Sequence, residues 1–234
     1  MLCRITYSRA AFRHRSYPRG PRADRYRGSL VNTSLQGEQT PVPARIPVAV
    51  SERHVHLTQS VIEQLFCDRY RLHAHSGVSQ PAHFAALETV TLIGPRGRIA
   101  NVRVIGPARD DNQIEISQTD ALALGVGAPL RESGDVKDSP GLLLEGPRAC
   151  VRLDHGVIRT LHHIHLGTDE AARHGLKDRD RIDVADEGAH PHTLFCDVLV
   201  RVSSGCKTEL HLDPDESDAA GLRTGAYVAI KRKP

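Results

Sequence analysis

Arg53-His54-Val55-His56-Leu57 and His162-His163-Ile164-His165-Leu166 are the two stretches on which the reading of this chain turns. Each is a His-x-His followed by Leu and then by a short helical pattern. Residues i and i+2 of a strand face the same way. His54 and His56 therefore present two imidazoles side by side, and so do His163 and His165. A second echo follows in each half. Gln113-Ile114-Glu115-Ile116 runs on to Gly125, and Glu209-Leu210-His211-Leu212 runs on to Gly221, with ten residues from Glu115 to Gly125 and ten from His211 to Gly221. Glu115 and His211 thus hold matching places as third donors. The duplication predicts one zinc site of two histidines and a glutamate and one of three histidines. Three protein ligands leave a coordination position open, which is the habit of catalytic rather than structural zinc. His73, His75 and His83 have no echo in the second half and read as loop or surface histidines.

Outward from these motifs the chain reads as short strands with isolated short helices. Strands are expected at 46–50, 89–93, 99–105, 113–116, 156–165, 181–184, 194–202, 208–212 and 227–231, separated by Gly-Pro, Asp-Asn and similar turns. Short helices are expected at 61–66, 119–124, 169–174 and 215–220, with Gly125, Gly175 and Gly221 as stops. This pattern points to a mainly β fold of two pseudo-repeated small β-barrels capped by short α-helices, not to a doubly wound sheet. The expected organisation is a disordered Arg- and Pro-rich leader at 1–45, a first barrel at 46–150 and a second at 151–234. The leader has too little apolar surface to offset the entropy of ordering.

The overall charge of +3 is unevenly placed: nine Arg against Asp24 and Glu38 give residues 1–46 a net of +7, so the remainder carries −4. Aromatics at 4% and the absence of Trp leave few platforms for stacking bases, so nucleic acid is not expected as a partner. No run approaches the ~18 apolar residues of a membrane span, and the N-terminal dozen residues lack the apolar centre of a secretory signal. The five cysteines contain no C-x-x-C pair, which argues against a disulfide framework and for a reducing cytoplasm.

Two zinc ions and one glutamate make a centre of strong positive charge, suited to an oxyanion such as phosphate. Arg109, six residues before Glu115, adds planar, bidentate hydrogen bonding. Ser133, in Arg131-Glu132-Ser133-Gly134-Asp135, is a second candidate donor. The rival chemistry is a binuclear zinc hydrolase acting on a phosphoester, thioester or amide.

At these residues the chain resembles the propanediol-utilisation type of phosphotransacylase, the phosphate propanoyltransferase family. The resemblance covers about residues 46–232. It rests on 50–57 (Val-Ser-Glu-Arg-His-Val-His-Leu), Ser79-Gln80-Pro81, 102–107 (Val-Arg-Val-Ile-Gly-Pro), 131–135 and His163-Ile164-His165 taken together. It implies zinc at His54, His56 and Glu115 and at His163, His165 and His211. It also implies phosphate held by the metals and Arg109, with Ser133 close by. Acyl-CoA and inorganic phosphate would give acyl phosphate and free CoA, reversibly, by direct attack of zinc-bound phosphate on the thioester. The resemblance further implies a homodimer. Some members work inside bacterial microcompartments, among shell and core proteins, through an N-terminal encapsulation helix; the leader here lacks that character. His162 stands where the family usually has Arg, an exchange expected to touch phosphate affinity or metal selectivity.

Overall fold

The computed structural model describes residues 45–187 and 193–231. The expected leader therefore lies outside the described residues, apart from Arg45. In chain order the elements begin with β1 (Arg45–Val50), β2 (His54–His56) and α1 (Gln59–Leu65). Then come β3 (Ala74–Gly77), β4 (Phe84–Ile93), β5 (Arg98–Gly106), β6 (Gln113–Glu115) and α2 (Gln118–Leu124). Next are β7 (Leu130–Arg131), β8 (Leu143–Glu145), β9 (Cys150–Arg152), β10 (Val157–Thr160) and β11 (His163–Leu166). The last are α3 (Thr168–His174), β12 (Arg181–Asp186), β13 (Leu194–Val202), β14 (Glu209–Leu212), α4 (Pro214–Ala220) and β15 (Tyr227–Lys231).

The strands form two sheets. One is a closed barrel in the order β1-β14-β11-β13-β12-β15. The other is a curled sheet in the order β7-β10-β6-β2-β5-β4-β8-β9, with β3 paired to β4. The expected mainly β architecture with short capping helices is what the chain adopts. The sheets do not, however, follow contiguous halves of the sequence. β1 runs parallel to β14 and antiparallel to β15 in the closed barrel. β10 runs parallel to β6 and β7 in the curled sheet. The range 46–150 thus gives β1 to the closed barrel, and the range 151–234 gives β10 and most of β9 to the curled sheet. The exchange also breaks the single strand expected at 156–165. β10 and β11 belong to different sheets, and the chain turns between them at Leu161-His162, where Leu161 N–H donates to the Arg131 carbonyl at 2.8 Å. Apolar periodicity continues through such a turn, so it marks no boundary in sequence.

Each sheet has its own core. Val55, Leu57, Leu92, Val104 and Ile114 are fully buried in the curled sheet. Ile46, Ile164, Leu166, Val200 and Leu210 fill the closed barrel. Each such side chain contributes about 1.5–3 kcal/mol of transfer free energy. Because strand side chains alternate, the neighbours of these apolar residues point away from both cores. Those neighbours are His54, His56 and Glu115 on one sheet and His163, His165 and His211 on the other.

The helices behave as their caps direct. Ser117 caps α2 and Asp213 caps α4, each in a reciprocal capping box, with Asp120 and Glu216 as partners. Both helices stop at a left-handed glycine, Gly125 at φ 77° and Gly221 at φ 65°, a conformation that costs a residue with a Cβ.

Candidate metal centre

The two histidine strands sit in equivalent pairings. β2 is parallel to β5 and antiparallel to β6, with His54 opposite Glu115. β11 is parallel to β13 and antiparallel to β14, with His163 opposite His211. A cross-strand neighbour on the same face brings the third donor to each pair. The result is two sets, His54, His56 and Glu115 and then His163, His165 and His211, whose donor atoms lie within 4.8 Å of one another inside each set. His54 Nε2 is 3.5 Å from Glu115 Oε2, and His56 Nε2 is 3.9 Å from Glu115 Oε1. His163 Nε2 and His165 Nε2 are 3.2 Å apart. Donors on one tetrahedral zinc, at bond lengths near 2.0–2.1 Å, stand roughly 3.3 Å apart. The spacing fits such an ion.

Hydrogen bonding points the same way. His54 Nδ1 donates to the Glu52 carbonyl and His163 Nδ1 to the Leu161 carbonyl, both at 2.8 Å, which leaves the Nε2 lone pair of each for an ion. His211 Nε2 and His56 Nδ1 are buried with no hydrogen-bond partner. An unsatisfied buried polar atom is costly, and a metal at the three-histidine set accounts for His211. Gln80 Nε2 approaches His165 Nε2 at 2.9 Å from the segment between β3 and β4.

Protonation is already arranged for ligation. Burial, then the charge of His54 and of Arg109, pushes His56 down to about 3. Burial, then His163 and His211, pushes His165 down to about 3. Burial and His163 push His211 down to about 4. These three imidazoles are neutral donors at pH 7. Burial alone would raise Glu115, but the charge and hydrogen bond of His54, with the Thr160 hydroxyl, hold its carboxyl well below the ordinary range. His54 is raised in turn: Glu115 and the Glu52 carbonyl outweigh its burial. Glu115 is thus an ionised carboxylate, in the form a metal ligand requires. Its Oε1 accepts from Ser133 Oγ at 2.9 Å and from the Gln113 amide, and its Oε2 accepts from Thr160 Oγ1.

His54, His56 and Glu115, with His163 and His211 of the second set, line one cleft of about 430 Å3, which Arg109 and Ser133 also line. Arg109 is held there by its backbone N–H, which donates to the Leu57 carbonyl at 2.9 Å. Its guanidinium makes no hydrogen bond among the described residues and feels the charge of Glu115 and Arg201. Ser133 is engaged differently from the expectation: its single proton goes to Glu115, and its oxygen accepts from Gln113 Nε2 at 2.9 Å. His83 lines the cleft too, whereas His75 is exposed on β3 and His73 binds the buried Glu88 at 2.7 Å.

His162 does not face the centre. Its Nδ1 pairs with Glu216 Oε1 at 2.8 Å and its Nε2 with the Cys196 carbonyl at 3.1 Å. Arg53 makes the corresponding pair in the other half, to Asp120 at 2.8 Å. In both places the cation preceding a His-x-His clamps the carboxylate of a helix capping box.

Gln113, Thr160, Gln80 and Arg201 are site neighbours that the motifs did not single out. Gln113 was open to discovery, since it lies two residues before Glu115 on the same strand face. Thr160 reaches Glu115 only because β10 crosses to β6, and nothing local in sequence marks that.

Comparison with known proteins bears on what such a centre does. The family model described as phosphate propanoyltransferase matches residues 47–223. A phosphate propanoyltransferase of Thermotoga maritima is 45% identical over 185 residues, 79% of this chain and 88% of that one. One from Rhodopseudomonas palustris is 40% identical over 86% of this chain and 88% of its own length. One from Rhodobacter capsulatus is 41% identical over 81% and 88%.

Proposed function

The chain belongs to the phosphate propanoyltransferase family, and from that premise we propose that its paired donor sets hold two zinc ions at which phosphate attacks an acyl-CoA thioester. The chain is an acyltransferase, and its reaction moves an acyl group between coenzyme A and inorganic phosphate. One observation carries the metal-dependent reading: two equivalent three-donor sets stand on different sheets, and five of their six donors line a single cleft beside a guanidinium that is unpartnered among the described residues.

His54, His56 and Glu115 would hold one ion, and His163, His165 and His211 the other. When bound, the ions supply positive charge for a phosphate and for the thioester carbonyl oxygen. Arg109 offers its free N–H groups to the phosphate oxygens and aligns one of them with the carbonyl carbon. Ser133, Gln113 and Thr160 hold the Glu115 carboxylate in place, with Ser133 at the edge of the phosphate position. One phosphate oxygen forms a bond to the carbonyl carbon. The carbon–sulfur bond breaks with its electron pair on sulfur, and the proton of hydrogen phosphate ends on the CoA thiolate. The half-apolar cleft, with Val78 and Ile105 on its wall, takes the short acyl chain. No covalent acyl-enzyme is needed.

The test is release of CoA thiol from acyl-CoA with and without inorganic phosphate, on a sample of measured zinc content. Phosphate-dependent release with about two zinc per chain supports the reading. Release without phosphate identifies a binuclear hydrolase instead. The proposal extends to a homodimer, tested by sedimentation, and co-purification with shell proteins tests residence in a microcompartment. Among the described residues, no helix is long and apolar enough to cross a membrane.

A further inference from the structure

We propose that Arg201 is a second phosphate-holding cation of this centre, approaching from the His165 side as Arg109 approaches from the Glu115 side. The inference rests on the acyl-transfer reading above and adds a residue to it. Its first support is strand geometry. β11 and β13 run parallel with His165 directly beside Arg201. Residues in register on neighbouring strands share a face, so Arg201 projects from the same side of the barrel as the imidazoles. Val200 and Val202, its neighbours in sequence, pack with the barrel core.

The second support is the space it enters. A separate cleft of about 430 Å3 is lined by His165, Arg201, Gln80, His83 and Ser203. Gln80 and His83 line the first cleft as well, so they stand between the two, with the Gln80 amide 2.9 Å from His165 Nε2.

The third support is what Arg201 lacks. Among the described residues its guanidinium has neither a hydrogen bond nor an ion pair. The other groups in this cleft that would compete are occupied. Arg179 is bound in a fork by both oxygens of Glu132, at 2.9 and 3.0 Å. Asp178 accepts from the Val202 N–H at 2.8 Å. Arg201 is nonetheless half-buried, as is Arg109. Two half-buried guanidiniums, neither in an ion pair among the described residues, leave planar donors open at the two donor sets. A dianion between them uses both sets of planar donors. Inorganic phosphate has the charge and the number of acceptor oxygens to do so.

The experiment uses the zinc-loaded full chain and the variants Arg201→Gln and Arg201→Lys. Steady-state rates are measured with phosphate and acyl-CoA varied in turn. Binding of inorganic phosphate alone is measured by calorimetry, and zinc content is measured on each sample. Arg201→Gln is expected to raise both the KM for phosphate and its Kd about tenfold or more, to leave the KM for acyl-CoA within about twofold and to keep both zincs. Arg201→Lys restores the charge without the fork and recovers part of the loss. Unchanged phosphate affinity in Arg201→Gln overturns the proposal. So does an effect confined to acyl-CoA. Should Arg201→Gln lose zinc, wild-type phosphate affinity in Arg201→Lys together with wild-type phosphate affinity in re-zinced Arg201→Gln overturns it equally. A wild-type chain that releases CoA without phosphate overturns the acyl-transfer reading itself, and that control keeps the two failures distinct.

Discussion

Glu115 shows how much of a candidate metal ligand is decided by what surrounds it. Its two oxygens accept from Gln113, Ser133 and Thr160 and face the imidazoles of His54 and His56. Glu115→Gln keeps the shape and removes the charge, so the glutamate-containing set should weaken while the three-histidine set persists. Metal analysis after dialysis is expected to fall from about two zinc per chain to about one. Arg109→Ala should act otherwise. It removes charge-assisted donors without touching a ligand, so both zincs stay while turnover falls by roughly 100-fold or more, as with loss of an oxyanion donor. Full activity in that variant would remove Arg109 from the phosphate site. His56, His165 and His211, three groups against the opposing His54 whose pKa is raised, also predict a pH response of the zinc-free protein. His56 and His165 are pushed down to about 3 and His211 to about 4. Unfolded, each returns to about 6.5. As pH falls from about 6.5 towards 4, the unfolded chain takes up protons that the folded chain refuses, so stability drops through that window. Glu115 acts in the same direction: its contribution is present above about 4.5 and is lost as pH falls further. Chelated protein should therefore melt at progressively lower temperature from pH 7 to pH 4.5, and a rise in Tm over that range would contradict the burial argument.

At the scale of single elements, the repeat is carried by strand–helix units. β6 leads into α2 and β14 into α4 through a capping box, and in each the carboxylate of the box is also gripped by the cation that precedes a His-x-His, Arg53 or His162. Helix start and histidine strand are therefore tied together twice. Ser117→Ala removes one capping hydrogen bond and should cost about 1 kcal/mol in urea unfolding, with zinc content unchanged. The helices were legible because their signals are local, namely the glycine stops at 125, 175 and 221. The helix at 61–66 began earlier than expected because Thr58 caps it, its hydroxyl accepting from Val61 N–H at 3.3 Å. The short strands β3, β7, β8 and β9 were not legible. They pair at sheet margins over two to four residues, too few for any period to show.

For the whole molecule, the decisive feature is the exchange of β1 and β10. Ala49 of β1 lies beside His211, and Ile158 of β10 lies beside Glu115, so each third ligand stands on a strand flanked by one from the other half. The exchange braces both ligand sets against the same seam. Ile46→Ala, in β1, should cost about 2–5 kcal/mol through the cavity it leaves in the closed barrel, and should lower zinc affinity at the three-histidine set ahead of the glutamate-containing set. Zinc titration of the folded variant reads the order of loss, and equal loss at both sets would argue against the strand exchange as the brace. By itself the sequence determined the six candidate ligands, because a duplicated i, i+2 pair with a matched third donor is a local pattern. It likewise determined the mainly β class and the helix ends, and a resemblance that named the acyl transfer. Only the tertiary structure decided that the two sets share one cleft, that Ser133 serves Glu115, that His162 turns to Glu216 and that Arg201 stands beside His165. Each of these depends on which strand lies beside which. That choice is made by burying two cores at once, an energy summed over residues far apart in the chain and therefore written in no single stretch of it.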